Sequence, residues 1–119
     1  MDKFFDVVRV STFKSEIFIK LNELEDYYLC KDICNKYIKN DNIGLILEQI
    51  LFLEKDKEFL GVRIVIVNNP LNPEEENILK KYTFTLAYKL KNKLQCDIYC
   101  LYKDTSFSII NKSENKDKI

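Results

Sequence analysis

A chain of 119 residues has the length of one ordinary domain, and 46% hydrophobic residues suffice for a core without metals or disulfides. Nineteen Lys and Arg residues balance nineteen Asp and Glu residues, which argues against a bulk polyanion as the main partner. No apolar run approaches the roughly 20 residues that span a bilayer, and the first residues do not resemble a secretory signal. We therefore expect a cytoplasmic protein with no membrane contact.

The N-terminal part of the chain predicts a β-hairpin followed by a helix. Strand-forming residues fill 4–11 and 16–21, with a polar turn between them. From 24 to 39, apolar side chains recur at helical spacing at Tyr27, Cys30, Cys34 and Tyr37, while charged residues fall on the opposite side. This pattern predicts an amphipathic helix with one buried face.

The segment 43–54 fits two structures. Its apolar residues have the spacing of a short buried helix, yet they also fit the first strand of a hairpin with 59–67. Short apolar runs do not distinguish these possibilities by periodicity, so both stay open. Residues 59–67 themselves predict a strand, because β-branched residues crowd the stretch and an Asn-Asn-Pro sequence ends it.

The clearest prediction is a long helix over about 72–95. Asn72 suits the cap, Pro73 suits the first helical position, and glutamates precede lysines along the segment as the helix dipole favours. A last hairpin follows over 96–102 and 106–111, and the charged residues 112–119 form a tail with nothing to bury. The element order predicts one α+β domain over 1–111: a largely antiparallel sheet of five or six strands with two or three helices packed on one face.

Four cysteines form two C-x-x-x-C pairs and raise the question of a metal site. On a strand, Cys96 and Cys100 would stand roughly 13 Å apart, too far to share one zinc ion. Cys30 and Cys34 are neighbours on a helix face, but the chain has no histidine to complete a ligand set. We therefore expect buried free thiols, no metal and no cofactor.

The turn at 68–73 is a poor phosphate site. It has no glycine, its two prolines lack an N–H, and Glu74, Glu75 and Glu76 would repel an anion. Without histidine, a Ser-His or Cys-His nucleophile is excluded as well. Asp6, Asp97 and Asp104 lie on or beside strands without a catalytic spacing. From these observations we expect that the chain is not an enzyme.

Two surfaces have an unusual composition for solvent-facing residues. Arg9 and Arg63 are the only arginines in a lysine-rich chain, and both lie within predicted strands. If helices cover one face of the sheet, the other face presents these arginines with Phe18 and Tyr99, which is typical of a protein interface. A third helix covering that face is the competing interpretation.

The second surface is the back of the helix predicted over 73–95. Phe84 and Tyr88 are four residues apart and point away from the predicted core stripe, with Lys81 and Lys91 around them. An aromatic pair among lysines suits a protein partner or a second copy of the chain, and it also suits stacked bases.

The function predicted from these features is a small protein-binding module that occupies a partner's surface, as an inhibitor, immunity or anti-defence protein or an adaptor. The predicted contact residues are Arg9, Arg63, Phe84, Tyr88, Lys81 and Lys91, with a homodimer as one possible assembly. The alternative is a nucleic-acid or small-ligand binder that uses the lysine and aromatic back of the same helix. An enzyme based on carboxylates and a divalent metal ranks third.

Overall fold

The computed structural model describes residues 14–38, 43–68, 75–102 and 105–109. Five strands and two helices occupy these residues: β1 (Ser15–Lys20), α1 (Glu25–Tyr37), β2 (Ile43–Glu54), β3 (Lys57–Asn68), α2 (Glu76–Leu94), β4 (Ile98–Tyr102) and β5 (Thr105–Ile109). The predicted strand 4–11, the turn 69–74 and the tail 112–119 lie outside the described residues.

The strands form one antiparallel sheet in the order β2-β3-β1-β4-β5. The first six elements follow the β-α-β-β-α-β order of ferredoxin-like folds, and β5 extends the sheet as a hairpin with β4. Apolar side chains on one side of the sheet join residues of both helices in a single core. The prediction of an α+β fold with a largely antiparallel sheet is thereby confirmed, with five strands and two helices in the described residues.

The segment 43–54 is a strand. It pairs with β3 along its whole length, from Ile43 opposite Asn68 to Glu54 opposite Lys57, through a two-residue turn in which Lys55 has a φ of 48°. Pairing along the full ribbon gives both segments inter-strand backbone hydrogen bonds. This long-range contact decides between the two structures that local spacing allowed.

The core lies between the sheet and the helices. Ile17 and Ile19 of β1 and Ile64 of β3 are fully buried against it. The helix α2 contributes the largest helical share of buried residues: Leu79, Thr83, Leu86, Ala87, Leu90, Lys91 and Leu94. The Thr83 and Ser15 hydroxyls form a buried 2.5 Å hydrogen bond, and Thr83 Oγ1 also donates to the Leu79 carbonyl at 2.8 Å. These bonds tie α2 to the first strand of the sheet.

Both predicted helices are present. The α2 helix begins after Glu75, whose carbonyl accepts the Leu79 amide, and it ends at Gln95, which adopts a left-handed conformation with φ of 59°. The predicted capping residues Asn72 and Pro73 lie outside the described residues. Among the described residues, neither helix is long and apolar enough to cross a membrane.

Candidate functional site

The side of the sheet away from the helices, called the open face below, carries a row of polar and aromatic side chains. Strand register places Glu48, Arg63, Phe18 and Tyr99 next to one another across β2, β3, β1 and β4. Alternation along β1 adds Glu16 and Lys20 to the same face, two residues on either side of Phe18. The open face therefore combines charged groups and rings at the centre of the sheet.

Arg63 binds two carboxylates from neighbouring strands. Its Nε donates to Glu16 Oε2 at 2.8 Å, and its Nη1 donates to Glu48 Oε1 at 2.7 Å. The hydrogen bond to Glu16, the larger cause, and the charge of both glutamates raise the pKa of Arg63. Lys14 approaches Glu16 only to 3.9 Å and is largely exposed. A guanidinium can donate to two carboxylates at once, which explains why this position of a lysine-rich chain is an arginine. Together, Arg63, Glu16 and Glu48 have a net charge of about −1.

Aromatic rings extend the open face toward the β2–β3 turn. The Phe18 and Phe52 ring centroids are 6.3 Å apart in an edge-to-face arrangement. The Phe52 ring fits here because Gly61 has no side chain: a Cβ at Gly61 would lie 2.5 Å from the Phe52 ring and 2.8 Å from the Ile19 carbonyl oxygen. Gly61 thus allows a ring to lie against the sheet.

The same end of the open face contains the charged side chain of Lys20. The Lys20 ammonium lies 4.8 Å from the Phe59 ring centroid and 5.7 Å from that of Tyr99, and it forms an ion pair with Glu54. The hydrogen bond to Glu54 is the largest cause of the raised pKa of Lys20. Two rings and one carboxylate around the Lys20 ammonium show that this end of the open face stabilises positive charge.

The back of α2 holds the predicted aromatic pair. The Phe84 and Tyr88 rings are stacked, with centroids 6.3 Å apart and an interplanar angle of 24°, and both side chains are about half exposed. Lys81 is exposed on the same helix. The structure therefore places Phe84, Tyr88 and Lys81 at the surface, and their role in binding stays a prediction.

Lys91 does not belong to this surface. It is buried, and its ammonium donates to the Cys96 carbonyl at 2.8 Å. The left-handed Gln95 turns the chain back toward the sheet, and the returning segment covers the end of α2. The placement of Lys91 on an exposed binding face is therefore wrong. Arg9, the remaining predicted contact residue, lies outside the described residues.

All four cysteines are buried free thiols. Burial raises the pKa of Cys100 to about 12. The hydrogen bond between Cys30 and Cys34 raises the pKa of Cys30 and lowers that of Cys34. Among the described residues, no three Cys, Asp or Glu side chains are placed to hold a metal ion together.

Of the three aspartates that the sequence places on or beside strands, Asp97 is exposed before β4, whereas Asp6 and Asp104 lie outside the described residues.

The sequence predicted Phe18, Arg63 and Tyr99 for the open face but not Glu16, Lys20, Glu48 or Phe52. Glu16, Phe18 and Lys20 alternate along β1, and this signal was available in the sequence. Glu48 and Phe52 could join them only once 43–54 was known to be a strand. Two of the missed residues, Glu48 and Phe52, therefore depended on the undecided segment, whereas Glu16 and Lys20 did not.

No family model and no curated protein matches the chain. Solved structures do match its fold. A phage SAM lyase in complex with S-methyl-5′-thioadenosine superposes with a TM-score of 0.59 at 13% identity, covering 92% of this chain and 98% of that one. A phage SAM lyase in the apo state gives 0.57 at 14% identity, with 91% and 98% covered. A DUF3240 family protein from Shewanella baltica gives 0.44 at 16% identity, with 84% and 99% covered.

The two lyase structures share the fold of this chain over nearly their whole length, which corrects one prediction. The expectation that the chain is not an enzyme is wrong as an inference from its size and residue types, because proteins with this fold include SAM lyases. At 13–14% identity, this likeness shows a shared fold alone. It gives no support to protein binding specifically.

Proposed function

We propose that the chain is a lyase acting on S-adenosylmethionine (SAM), releasing S-methyl-5′-thioadenosine. The observation that carries the proposal is the fold match to phage SAM lyases, which extends over 92% of this chain and 98% of the neighbour with S-methyl-5′-thioadenosine bound. A match of whole domain to whole domain supports a shared activity better than a match to one part. Identity of 13% transfers no residue roles, so the site is argued from this chain alone.

The chemistry is compatible with a chain that has no histidine. In SAM the sulfur is a sulfonium, and breaking its bond to the aminobutyryl carbon leaves both electrons on sulfur as a neutral thioether. The leaving group needs no proton, so no general acid is required. The other fragment completes its valence through its own carboxylate oxygen, giving a lactone, or by losing a proton to form an alkene. Identifying the co-product distinguishes these routes.

The open face suits such a substrate electrostatically. Sulfonium and ammonium groups are attracted to ring faces and to carboxylates, and Glu16 and Glu48 supply two carboxylates around one guanidinium. Arg63 uses two nitrogens to hold Glu16 and Glu48, and its remaining N–H groups would donate to a substrate carboxylate. Phe18 and Tyr99, in the same row as Arg63, offer rings for the adenine. We assign Glu48 to the positive charge of the substrate and Arg63 to its carboxylate.

The test is direct. Purified protein is incubated with SAM, and S-methyl-5′-thioadenosine is measured by liquid chromatography and mass spectrometry. S-adenosylhomocysteine is the control substrate, because its sulfur is already a neutral thioether and has no activated bond. The proposal predicts product from SAM and none from the control; absence of product from SAM above the spontaneous rate would contradict it.

A matched pair of variants locates the site. Glu48→Gln removes a carboxylate of the open face, whereas Glu58→Gln changes an exposed carboxylate on the same β2–β3 ribbon, on the opposite side. We expect Glu48→Gln to lower kcat/KM at least tenfold and Glu58→Gln to leave it within twofold. Equal rates for both variants would remove the open face from the reaction.

A second candidate function is binding of another protein by the back of α2, including a second copy of the chain. The stacked and half-exposed Phe84 and Tyr88 favour it, with Lys81 on the same helix.

Size-exclusion chromatography with light scattering on the wild type and on Phe84→Ala/Tyr88→Ala tests self-association. Affinity capture with nuclease and salt arms tests other partners, since a nucleic-acid partner would be released by salt. A variant with unchanged mass and unchanged captured partners would exclude this surface.

A further inference from the structure

The outer layer of the molecule contains a groove between the two helices. From α1 it is lined by Leu29, Asp32, Ile33, Lys36 and Tyr37, and from α2 by Lys89, Asn92 and Lys93, with a volume of about 510 Å³. This volume is within the usual range for small-molecule sites. The groove lies on the helical side of the sheet, so it is separate from the open face.

The floor of the groove is apolar and held in place. Leu29 is 40% exposed, and Ile33 and Tyr37 are partly buried against the core. The Tyr37 ring packs on Tyr82 with centroids 4.7 Å apart, and the Tyr82 hydroxyl donates to the Tyr37 carbonyl at 3.4 Å. A planar ligand group would therefore meet an ordered surface of one ring and two aliphatic side chains.

The rim of the groove is positively charged. Lys36, Lys89 and Lys93 face one carboxylate, Asp32, which leaves an excess of about two positive charges. Across the described part of the chain, none of these three lysines has a carboxylate within 4.0 Å, whereas Lys20 of the open face is paired with Glu54. The Lys89 ammonium lies 5.5 Å from the Tyr37 ring centroid, so a cation stands beside the apolar floor.

We propose that the groove binds a small anion that carries a planar aromatic ring, of the class to which purine mononucleotides belong. The ring would lie on Leu29, Ile33 and Tyr37, and the phosphate would lie between Lys89 and the other lysines. Charge complementarity selects the anion, because three ammonium groups attract a phosphate and repel a sulfonium. The site is thus distinct from the proposed lyase site, and it does not depend on lyase activity.

Isothermal titration of the full chain with three probes tests the proposal. The probes are 5′-AMP, adenosine, which lacks the charge, and inorganic phosphate, which lacks the ring. We expect 5′-AMP to bind at least tenfold more tightly than either, because only it engages both the floor and the rim. Equal affinity for 5′-AMP and adenosine, or no heat with 5′-AMP at millimolar concentration, would overturn the proposal.

Variants on α2 provide the matched control. Lys89→Gln/Lys93→Gln removes two rim charges at exposed positions, whereas Lys81→Gln removes one exposed charge of the same helix outside the groove. The double variant should weaken 5′-AMP at least tenfold, and Lys81→Gln should change it less than twofold. Equal loss in both, or tighter binding of an oligonucleotide than of 5′-AMP with the same lysine dependence, would contradict a small-molecule site. Release of S-methyl-5′-thioadenosine should be unchanged in the double variant, so failures of the two proposals are distinguishable.

Discussion

The two faces of the five-stranded sheet come from the same strands and have opposite chemistry. On the covered face, Ile17, Ile19 and Ile64 have no exposed surface. On the open face, one residue away in each strand, Arg63 holds two glutamates and Lys20 lies over aromatic rings. Because strand side chains alternate, a single sequence register places core side chains on one face and partly exposed polar and aromatic side chains on the other.

The largest expected effect comes from truncating the covered face. Ile64→Ala should lower the free energy of unfolding by about 2–5 kcal/mol, because the fully buried side chain leaves a cavity in a packed core. Ile46→Ala, on the neighbouring strand but 49% exposed on the open face, should cost less than about 1 kcal/mol. Urea unfolding followed by circular dichroism measures both. Similar costs for the two variants would contradict the division between the faces.

Substitution of Gly61 tests whether the Phe52 ring packs against the backbone of β3 on the open face. Gly61→Ala should destabilise by about 1–3 kcal/mol, because the new Cβ would meet the Phe52 ring and the backbone carbonyl of Ile19. Gly44→Ala is the control, since nothing lies within 4 Å of a Cβ there, and it should change stability by less than about 0.5 kcal/mol. Equal unfolding midpoints for the two alanine variants would show that the Phe52 ring does not lie against Gly61.

The hydroxyl pair between sheet and helix should show strong coupling. Thr83→Val leaves the buried Ser15 hydroxyl without its 2.5 Å partner, at a cost of about 1–3 kcal/mol. Adding Ser15→Ala should restore part of that loss, because no orphaned polar group then remains. Additive losses in the double variant, measured by urea unfolding, would show that the two hydroxyls do not depend on each other.

Alkaline pH should destabilise the covered face. Burial raises the pKa of the Cys100 thiol from 9.0 to about 12, so the folded state keeps it neutral where the unfolded chain ionises. Its contribution is complete below pH 9 and is lost as the pH rises from about 9 toward 12. Unfolding midpoints at pH 7 to 10.5 should fall less steeply for Cys100→Val than for the wild type. Parallel curves would show that Cys100 does not titrate on unfolding.

The sequence predicts those elements that local signals specify. The helix over 72–95 is present as α2, since its charge order and apolar stripe are local, and the strand over 59–67 is present within β3. The segment 43–54 could not be assigned, because its apolar spacing satisfies both periods and only pairing with β3 decides. The position of Arg63 in a strand was predictable. Its partners Glu16 and Glu48 are 47 and 15 residues away, so their contact required the strand register.

Lys91 is a residue that local sequence signals placed wrongly, because it was predicted to be exposed and is buried. Helical spacing placed it beside Phe84 and Tyr88, but the segment after Gln95 covers it and accepts its hydrogen bond at the Cys96 carbonyl. A helical wheel represents one helix without the chain that returns over its end. Lysine is exposed so often that burial of this one has no local sequence signal.

Amide chemical-shift mapping on isotope-labelled protein, with S-methyl-5′-thioadenosine added, tests most directly whether the open face binds the substrate. We expect the largest shifts on the strands that carry the open face, around Phe18, Arg63 and Tyr99, and little change along the groove between the helices. Shifts concentrated at Tyr37 and Lys89, with the open face unchanged, would contradict the assignment of the substrate site to the open face.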